Sequence, residues 1–477
     1  MGGVSVNYKE ALDYMYGFTD YERNGKYTRD RNENMLREVE LLKLLDNPHL
    51  QYSNTLIAGT KGKGSTSAFI ERVLRESGVR TGLYTQPDLH TFRERAQVNG
   101  DLISEQEVSQ LVPEIKSAVE LIQARGDLGP FITYEVGTAL AFLYFARQHV
   151  QHAVVEVGLG GRLDATNVTH PLVSVITSIS YDHMSILGNT LAKIATEKAG
   201  IIKPDGIVVT SAQAPEALLA IAEIAKQRNA RLIRIGAHDF DPAENEVAAG
   251  SLPPLSYHYQ VLEQHEQGQL FSIQTPSGVY ANLETPLVGI HQIENATVAL
   301  ATLDVLREQG INWDERALRA GMAAVSWPAR IQIVGHDPTV VIDGAHNADS
   351  MQKLLSTLQT VFNKHRLICV LGVNKDKDVS HIIQELTAVD VVVLTRANNP
   401  RAMPPEELQA LFTEYVPHVA VHLAETCSQA LDLAVDLADQ QDLIVATGSL
   451  YLAGEALRWA ADQGDASAAA GIKGIDH

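Results

Sequence analysis

Short apolar runs rich in β-branched residues alternate with longer stretches of helical periodicity from about residue 54 onward. NTLIA (54–58) predicts a buried strand, the glycine-rich sequence after it a turn, and SAFIERVLRESG (67–78) a helix. VRTGLY, HAVVEV and LVSVITS predict further strands, and the capping-box spacing of Ser104 and Glu107 marks a helix start. This alternation is typical of parallel βαβ units with helices on both faces of the sheet.

The alternation weakens between about residues 236 and 285, where the sequence is polar and contains Pro and Gly. SYHYQVL and QLFSIQT predict antiparallel strands there, and we interpret the segment as an excursion within the first domain. A helical stretch covers 289–325, SWPAR (326–330) is interpreted as a hinge, and a second α/β alternation follows. Its predicted strands are TVVID, RLICVLG, VDVVVLT, VAVHL and DLIVAT.

The predicted fold class is α/β. A P-loop-type, mostly parallel sheet domain with helices on both faces is followed by a smaller, Rossmann-like α/β domain. We expect the first domain to span residues 1–327 and the second to span 328–462. The remaining residues, 463–477, are rich in Ala, Gly and Asp and predict a flexible tail.

Composition supports two packed domains and argues against one class of partner. The chain has 477 residues, of which 45% are hydrophobic, so apolar material is ample. Its formal net charge of −20 argues against nucleic acid, because phosphate backbones are bound chiefly by concentrated Lys and Arg. An anionic substrate must therefore meet a local basic patch.

Cysteine usage and the N-terminus predict a cytoplasmic protein. Cys369 and Cys427 lie in apolar or helical surroundings without metal-ligand spacing, which fits inert thiols in a reducing compartment. The N-terminus lacks a basic region followed by an apolar core, and no apolar stretch reaches the roughly 18 residues of a membrane span. We expect no membrane attachment, and a monomer by default.

Candidate chemistry begins with AGTKGKGST (58–66), between a predicted strand and a predicted helix. Its backbone amides can turn toward an anion, a lysine can reach phosphate, and hydroxyls stand at the helix N-terminus. The interval from Gly59 to Gly62 is shorter than in G-x-x-x-x-G-K-[ST], and the alternative is a turn with a solvated lysine. The candidate phosphate-binding residues are Gly59, Thr60, Lys61, Gly62, Lys63, Gly64, Ser65 and Thr66.

Two later strands end in side chains that suit a metal. Glu156 closes HAVVEV, and Asp182 and His183 follow LVSVITS, at strand ends where open α/β sheets collect ligands. One carboxylate and the Ser65 hydroxyl would form a sufficient partial shell for Mg²⁺, which usually keeps waters and substrate phosphates. The alternatives are a capping role for Glu156 and a structural role for His183.

Ordered motifs over nearly the whole chain, up to about residue 460, resemble those of folylpolyglutamate synthases, including the bifunctional dihydrofolate synthase form, within the Mur-type amide ligases. The loop A-G-T-K-G-K-G-S and the run E-V-G-L-G-G-R-L-D-A-T-N are both present without a gap. The further matches are D-H-x-x-x-L-G (182–188), E-K-A-G-I (197–201), H-Q-x-x-N-A (291–296), D-G-A-H-N (343–347) and K-D-K-D (375–378).

The resemblance implies ATP and Mg²⁺ as cofactors and assigns roles to individual residues. Glu156, His183 and Ser65 would hold the metal. Lys198 would be carbamylated, with a plain surface lysine paired to a helix neighbour as the alternative. The implied catalytic residues are Lys63, Lys198, His183 and His346; the implied nucleotide-binding residues beyond the loop are Asn295, Arg330 and Asp343.

A second set of residues matches the family's pterin side, with two departures. The family's T-S-P-H-L is T-Q-P-D-L here, so Gln86 replaces a serine and Asp88 replaces a histidine. Gln86 would offer a carbonyl oxygen in place of the hydroxyl near magnesium, and Asp88 would add negative charge beside an anionic substrate. The implied substrate-binding residues are Gln86, Pro87, Arg95, Thr133, Tyr134, Glu135, Arg162 and Asp164.

The implied function is ATP-dependent ligation of L-glutamate to a reduced folate through an acyl phosphate, by a Mur-type central domain and a C-terminal ligase domain that close on each other. One alternative is a Mur-type amino-acid ligase with another acceptor, and another is a nucleotide-binding homologue without catalysis. The sequence leaves open the use of dihydropteroate, the length of the polyglutamate chain and a need for a monovalent cation.

Overall fold

The computed structural model describes residues 6–20, 32–238, 252–465 and 468. The strands within these residues are β1 (Ser53–Ala58), β2 (Thr81–Tyr84), β3 (Ala96–Val98), β4 (Asp101–Leu102), β5 (His152–Glu156), β6 (Val173–Ile176), β7 (Ile207–Thr210), β8 (Arg231–Ala237), β9 (Leu255–His265), β10 (Gly268–Thr275), β11 (Gly278–Thr285), β12 (Gln332–Gly335), β13 (Thr339–Ile342), β14 (Leu367–Leu371), β15 (Val391–Leu394), β16 (Ala420–Leu423) and β17 (Leu443–Thr447).

The α-helices in the same ranges are α1 (Tyr8–Tyr16), α2 (Asn32–Leu44), α3 (Lys63–Glu76), α4 (Glu105–Arg125), α5 (Thr133–Arg147), α6 (Met184–Leu187), α7 (Leu191–Ala199), α8 (Pro215–Gln227), α9 (Ile290–Glu308), α10 (Glu315–Ala324), α11 (Ala348–Val361), α12 (Val379–Glu385), α13 (Pro405–Tyr415), α14 (Cys427–Leu437) and α15 (Leu450–Asp462). Short 3₁₀ turns lie at Pro48–Leu50, Phe92–Arg95, Ala165–Val168 and Leu386–Ala388.

The first sheet has eleven strands in the order β11-β10-β9-β8-β7-β6-β1-β5-β2-β3-β4. The central strands from β9 to β2 form parallel pairs, and both edges are antiparallel. Because β9 pairs with β8, the excursion predicted after residue 236 extends this sheet, as expected. Helices α4, α5, α7 and α8 pack on one face, and α3, α9 and α10 pack on the other.

The second sheet has six strands in the order β12-β13-β17-β14-β15-β16, and only its edge strand β12 runs antiparallel. Its strand β14 is buried along its whole length, because α11 to α13 cover one face and α14 and α15 cover the other. Strands buried on both faces read as continuous apolar runs, which is why RLICVLG and DLIVAT stood out in the sequence. The predicted α/β class with a second, smaller sheet is confirmed.

Local chain chemistry corrects several element boundaries. The helical stretch predicted over 289–325 is two helices, because Gly310 adopts φ +90° after α9 and the Asp314 side chain caps α10 by accepting from Ala317 N at 2.7 Å. Helix α3 begins at Lys63, four residues before its predicted start. Six strands had not been predicted: β3, β4, β7, β8, β11 and β12.

The two sheets meet across a cleft. Residues that follow β1, β5 and β6 of the first sheet line the same cavity as residues that follow β13, β14 and β17 of the second. The chain passes between the domains at 325–331, around the segment interpreted as a hinge. Outside the cleft, the Arg458 Nε donates to His90 Nδ1 at 3.1 Å. The carboxyl ends of both parallel sheets therefore face each other, where open α/β folds bind ligands.

Three smaller expectations concern thiols, membranes and the tail. Cys369 and Cys427 are free and buried, and burial raises the pKa of Cys369 to about 12, so the prediction of inert thiols is confirmed. In the portion of the chain that the structure describes, no helix has the length and apolar character needed to cross a bilayer. Apart from 463–465 and 468, the predicted tail lies outside the described residues.

Candidate active site

The glycine-rich loop joins β1 to α3 and directs the start of that helix into the cavity. Gly62 adopts φ +88° as the residue before α3, and a Cβ there would lie 2.3 Å from the Asn295 Oδ1. A Cβ on Gly64 would lie 2.8 Å from the Trp327 ring. Helix α9 and the interdomain segment can approach the loop only because these positions lack side chains. The backbone amides of the first turn lie at the positive end of the helix dipole, an arrangement that can bind an anion.

Glu156 ends β5 with one carboxylate oxygen unsatisfied. The side chain is buried, the Lys63 Nζ lies 3.6 Å from its Oε1, and its Oε2 has no hydrogen-bond partner among the described residues. Burial raises the pKa of Glu156, and Lys63 opposes that shift. A buried oxygen without a donor is costly unless a cation or water meets it. This donor fits Mg²⁺, which prefers hard oxygen ligands.

His183 and Ser65 face the same cavity as Glu156. His183 takes a left-handed backbone conformation at φ 50° just before α6, and its imidazole is 39% exposed. Partial burial and neighbouring cations lower the pKa of His183 to about 3, so its ring is neutral and able to ligate a metal. No group of three or more His, Cys, Asp or Glu side chains within the described ranges could hold a metal alone. A Mg²⁺ ion here would need waters or substrate oxygens as further ligands.

Lys198 is buried at the end of α7, so the alternative of a plain surface lysine is wrong. Its Nζ donates to the carbonyl oxygen of Gly59 at 2.7 Å, which ties α7 to the start of the glycine-rich loop. Burial and the nearby Lys63 lower the pKa of Lys198 to about 7. Near neutral pH a large fraction of this amine is uncharged and nucleophilic.

Lys61 does not point toward solvent but joins the two domains. Its Nζ donates to the Asp182 Oδ2 at 3.2 Å and to the His346 Nε2 at 2.8 Å. His346 Nδ1 donates to the Gly344 carbonyl at 2.8 Å, which leaves Nε2 as the acceptor. Burial and Lys61 lower the pKa of His346 to about 4, in agreement with a neutral ring.

Lys377 of the second domain donates to the other oxygen of Asp182 at 3.0 Å. Burial raises the pKa of Asp182, but the ammonium groups of Lys61 and Lys377 hold it well below its ordinary value. Lys377 was not among the predicted site residues, and Asp182 was singled out at its strand end without an assigned role. Their motifs, D-H and K-D-K-D, were the available signal, but only the fold brings positions 195 residues apart into contact.

Predicted nucleotide-binding residues beyond the loop line the cavity where the two domains meet. The Asp343 carboxylate is buried and accepts from Ile331 N at 3.0 Å and from Ala345 N at 2.8 Å. These bonds join β13 to the interdomain segment that carries Arg330. Asn295 Nδ2 donates to the Gln292 Oε1 at 3.0 Å. Asp343 therefore has a structural role in this structure, and its contact with the nucleotide stays a prediction.

At the far side of the cavity, the Tyr134 hydroxyl connects three segments. It donates to the Asp164 Oδ1 at 2.7 Å and accepts from the Gln86 Nε2 at 3.2 Å and from Gly158 N at 3.1 Å. Asp164 also accepts from Leu159 N at 3.0 Å. Gln86 thus directs its amide nitrogen toward a tyrosine. Asp164 is buried and engaged, so it positions Tyr134 and the glycine turn after β5.

Charged residues of this region are paired with one another. The carboxylate of Glu135 is fully buried and receives the Arg37 guanidinium, with Nη2 to Oε1 at 2.8 Å. The Arg95 Nε donates to the Asp88 Oδ1 at 2.5 Å, so the negative charge expected beside the substrate is compensated. Arg37 lies on α2 and had not been predicted, because no local pattern marks a partner about a hundred residues away from Glu135.

Most predicted site residues share this one cavity, but two do not line it. Thr66 is buried beneath the loop, where its hydroxyl donates to the Asn295 Oδ1 at 3.5 Å. Arg162 is 47% exposed and pairs with Glu197 at 2.9 Å outside the cavity. Residues that line the cavity but had not been assigned include Asp20, Asn374, Lys377, Arg401 and Tyr451.

Comparison with known proteins identifies both halves of the chain. Residues 57–303 match the Mur ligase middle domain, and residues 329–450 match the glutamate ligase domain of Mur ligases. A dihydrofolate synthase/folylpolyglutamate synthase of Bacillus subtilis is 38% identical over 375 residues, which cover 78% of this chain and 83% of the relative. The folylpolyglutamate synthase of Lacticaseibacillus casei is 33% identical over 453 residues, which cover 94% of this chain and 97% of the relative.

Solved structures agree in fold as well as in sequence. Folylpolyglutamate synthase of Mycobacterium tuberculosis complexed with ADP and AMPPCP has a TM-score of 0.80 and 36% identity, covering 89% of this chain and 95% of that one. E. coli FolC in complex with DHPP and ADP has a TM-score of 0.81 and 28% identity, covering 97% and 100%. The resemblance drawn from the motifs is confirmed: the chain belongs to the folylpolyglutamate synthase/dihydrofolate synthase family of Mur-type, ATP-dependent ligases.

Proposed function

We propose that this enzyme uses ATP to join the amine of L-glutamate to the glutamyl carboxylate of a reduced folate, through an acyl phosphate. One observation carries the proposal. A single cavity is lined by the glycine-rich loop, the Glu156 carboxylate with its unsatisfied oxygen, Arg330 of the interdomain segment and His346 of the second domain. A phosphate site of the first domain thus meets a guanidinium of the interdomain segment and an imidazole of the second domain, where a carboxylate can be activated.

The first step transfers the terminal phosphoryl group of ATP to the folate carboxylate. The bond between the β,γ-bridging oxygen and the terminal phosphorus breaks, a carboxylate oxygen bonds to that phosphorus, and ADP leaves. Negative charge spreads over the transferred group in the transition state, so Lys63, Arg330 and the amides at the start of α3 stabilise it. This electrostatic stabilisation is greatest in a cleft from which water is excluded.

Magnesium fits this arrangement, and we propose Glu156, His183 and Ser65 as its protein ligands. The bound ion would neutralise phosphate charge during transfer. We also propose that Lys198 is carbamylated. Its burial and its pKa of about 7 support a reactive neutral amine, and carbamylation would convert a buried cation into an anion near the cavity.

The second step forms the amide. The free amine of glutamate attacks the acyl carbon, phosphate leaves with its bonding electrons, and the amine loses a proton. Water would hydrolyse the acyl phosphate. Contacts across the cleft, such as Lys61 to His346, hold the domains together and exclude water, which favours ligation over hydrolysis. Because the attacking amine must be unprotonated, we expect turnover to increase with pH across the neutral range.

Product analysis tests the proposal directly. Purified protein is incubated with ATP, Mg²⁺, L-glutamate and either tetrahydrofolate or dihydropteroate, and products are separated and weighed by mass spectrometry. We expect addition of glutamyl units to tetrahydrofolate with one ADP for each. A product from dihydropteroate would add dihydrofolate synthase activity, and the product series gives the chain length. Comparing potassium with sodium buffer tests the monovalent-cation requirement.

Two lysine variants serve as the matched pair in this assay. Lys63→Met should reduce turnover by about 10³-fold through loss of phosphate stabilisation. Lys116→Met, at an ammonium on the surface of α4 that is 49% exposed, should have wild-type activity. If the wild-type protein adds glutamate to neither pterin but extends another carboxylate, the Mur-type alternative replaces our proposal. If the wild-type protein binds ATP and forms no ADP with any acceptor, the non-catalytic alternative replaces our proposal.

We propose further that the enzyme is a cytoplasmic monomer. The burial of both free cysteines supports a reducing compartment, where they need no disulfide. Light scattering coupled to size-exclusion chromatography measures the oligomeric state, with and without ATP. A stable dimer in both conditions would contradict the monomer.

A further inference from the structure

Asp182 is the point at which the phosphate loop and the second domain contact one carboxylate. Its Oδ2 accepts from Lys61 Nζ at 3.2 Å, and its Oδ1 accepts from Lys377 Nζ at 3.0 Å. The side chain of Asp182 is 11% exposed, and those of the two lysines are 18% and 13% exposed. We name these three residues the Asp182 bridge.

The bridge joins segments that the chain connects only at a distance. Lys61 belongs to the loop before α3, Asp182 follows β6, and Lys377 lies between β14 and α12 in the second sheet's domain. Two further hydrogen bonds cross the same domain boundary: Lys61 Nζ donates to His346 Nε2 at 2.8 Å, and Asn347 Nδ2 donates to the Tyr181 carbonyl at 3.4 Å. Asp182 thus pairs with one ammonium from each side of the cleft.

The negative charge of Asp182 compensates the two ammonium groups of the bridge. Without Asp182, two ammonium groups would face each other in a cleft that also contains Lys63 and Lys198. Like charges at such separations repel strongly when water is scarce, and removing one partner of a buried pair leaves an uncompensated charge. The second domain would then lose its registration against the loop that holds the phosphates.

A purely local role for Asp182 makes a different prediction. Its Oδ1 also accepts from the His183 backbone N at 2.9 Å, which stabilises the turn before α6. An asparagine can keep that bond, because its side-chain oxygen accepts equally well. An asparagine cannot hold two ammonium groups. Replacement by asparagine therefore separates the local turn from the bridge.

We infer that Asp182 is a positioning residue that registers the C-terminal ligase domain against the phosphate loop by pairing with Lys61 and Lys377. Its effect on turnover rests on the proposed function, whereas its effect on domain geometry does not. Each is measured separately.

The first measurement is kinetic. We expect Asp182→Asn to lower kcat about 100-fold, because small errors in the placement of reacting groups cost this much, while the affinity for ATP changes less than threefold. The matched control is Glu407→Gln, which removes the exposed pair with Lys375 at 3.4 Å in the same domain and should leave kcat unchanged. In a Lys377→Met background, Asp182→Asn should lower kcat by less than a further threefold.

An additional 100-fold loss in that background would overturn the inference, because Asp182 would then act without Lys377. A magnesium titration excludes disturbance of His183. If saturating Mg²⁺ restores the kcat of Asp182→Asn, the residue serves the metal site and the bridge is wrong. If the Mg²⁺ concentration for half-maximal activity is unchanged and kcat stays low, the result supports Asp182 as a positioning residue.

The second measurement needs no turnover. Cysteines replace Leu121 and Tyr415, which are 59% and 37% exposed and lie on opposite domains. They carry a donor and an acceptor dye. Both native thiols are buried, so labelling is confined to the introduced cysteines. Energy transfer with a non-hydrolysable ATP analogue should give one narrow distribution in the wild type and a broadened one in Asp182→Asn. Identical distributions would overturn the inference even if glutamate transfer failed in every protein.

Discussion

The two ends of the cavity differ in whether their polar groups are already bonded within the protein. The loop end, defined by Gly59 to Ser65 with Glu156, offers backbone amides and an oxygen that the protein leaves unsatisfied. The Tyr134 end, defined by Gln86, Arg95, Tyr134, Glu135 and Asp164, is made of polar side chains that are already bonded to one another.

This difference indicates how each end meets its ligand. Phosphate is the same in every nucleotide, so a rigid cradle with groups left free suits it. A pterin presents a particular pattern of donors and acceptors, and a network that fixes a few polar atoms suits such a pattern better. Substitutions at the loop end should therefore abolish binding, whereas those at the Tyr134 end should shift preference.

Gly62→Ala should have the largest effect, because the new Cβ would lie 2.3 Å from the Asn295 Oδ1. We expect at least a 100-fold loss of turnover and a comparable loss of ATP affinity, measured by calorimetry. Gly78→Ala is the matched control, since Gly78 has a similar φ of +81° but no atom within 4 Å of its Cβ position. It should lose only about 1–2 kcal/mol of stability from the left-handed backbone. Equal activity losses in both variants would show that crowding at the cradle is unimportant.

Tyr134→Phe should have a smaller and more selective effect. The change removes a hydroxyl that bonds to Gln86, Gly158 and Asp164, so we expect the KM for folate to rise about tenfold and that for ATP less than twofold. Steady-state kinetics with each substrate varied in turn gives both values. Tyr84→Phe is the control, because that fully buried hydroxyl bonds to Thr138 at 3.1 Å and Tyr84 does not line the cavity. A parallel rise in the KM for ATP would remove the distinction between the two ends.

Sequence reasoning succeeded where local patterns decide the structure. Apolar runs between turns identified most parallel strands, and the order of strand, glycine loop and helix was predicted before any contact was known. The capping box at Ser104 is present, with the Ser104 N donating to Glu107 Oε2 at 2.8 Å. Such features depend on residues only a few positions apart, so the sequence displays them directly.

Sequence reasoning could not find the pairs that complete the site. Lys61 meets His346 across 285 positions, and Arg37 meets Glu135 across 98. No periodicity marks such partners, because they are chosen by how the elements pack. For the same reason Asp88 was expected to repel the substrate, and only the fold brings it to Arg95. The contact between Gly64 and Trp327 likewise depends on how the interdomain segment crosses the loop.

Carbon dioxide should affect the loop end alone. Because burial lowers the pKa of Lys198 to about 7, its neutral fraction rises from about a tenth at pH 6 to about nine-tenths at pH 8. Carbamylation needs the neutral amine, so activity should fall about fivefold when CO₂ is removed and recover with bicarbonate, more fully at pH 8 than at pH 6. Carbon-13 NMR with labelled bicarbonate should show a carbamate that is lost in Lys198→Gln. It should persist in Lys203→Gln, where the amine bonds to the Asn167 carbonyl at 2.7 Å outside the cavity. A carbamate signal that survives Lys198→Gln would contradict this assignment.

Asp88→Asn should give the smallest effect and the most specific one. The asparagine oxygen can still accept from the Arg95 Nε, now 2.5 Å from Asp88 Oδ1, but the compensating charge is gone. The Tyr134 end then becomes more positive. Tetrahydrofolate carries two carboxylates and dihydropteroate carries one, so the KM for tetrahydrofolate should fall about two- to threefold relative to the KM for dihydropteroate. High salt should reduce the difference. Glu114→Gln, which removes the exposed pair with Arg147 at 2.7 Å, should leave the ratio unchanged. A rise in KM for both acceptors would instead mean that Asp88 acts by holding Arg95 in place, and that geometry rather than charge determines preference at this end.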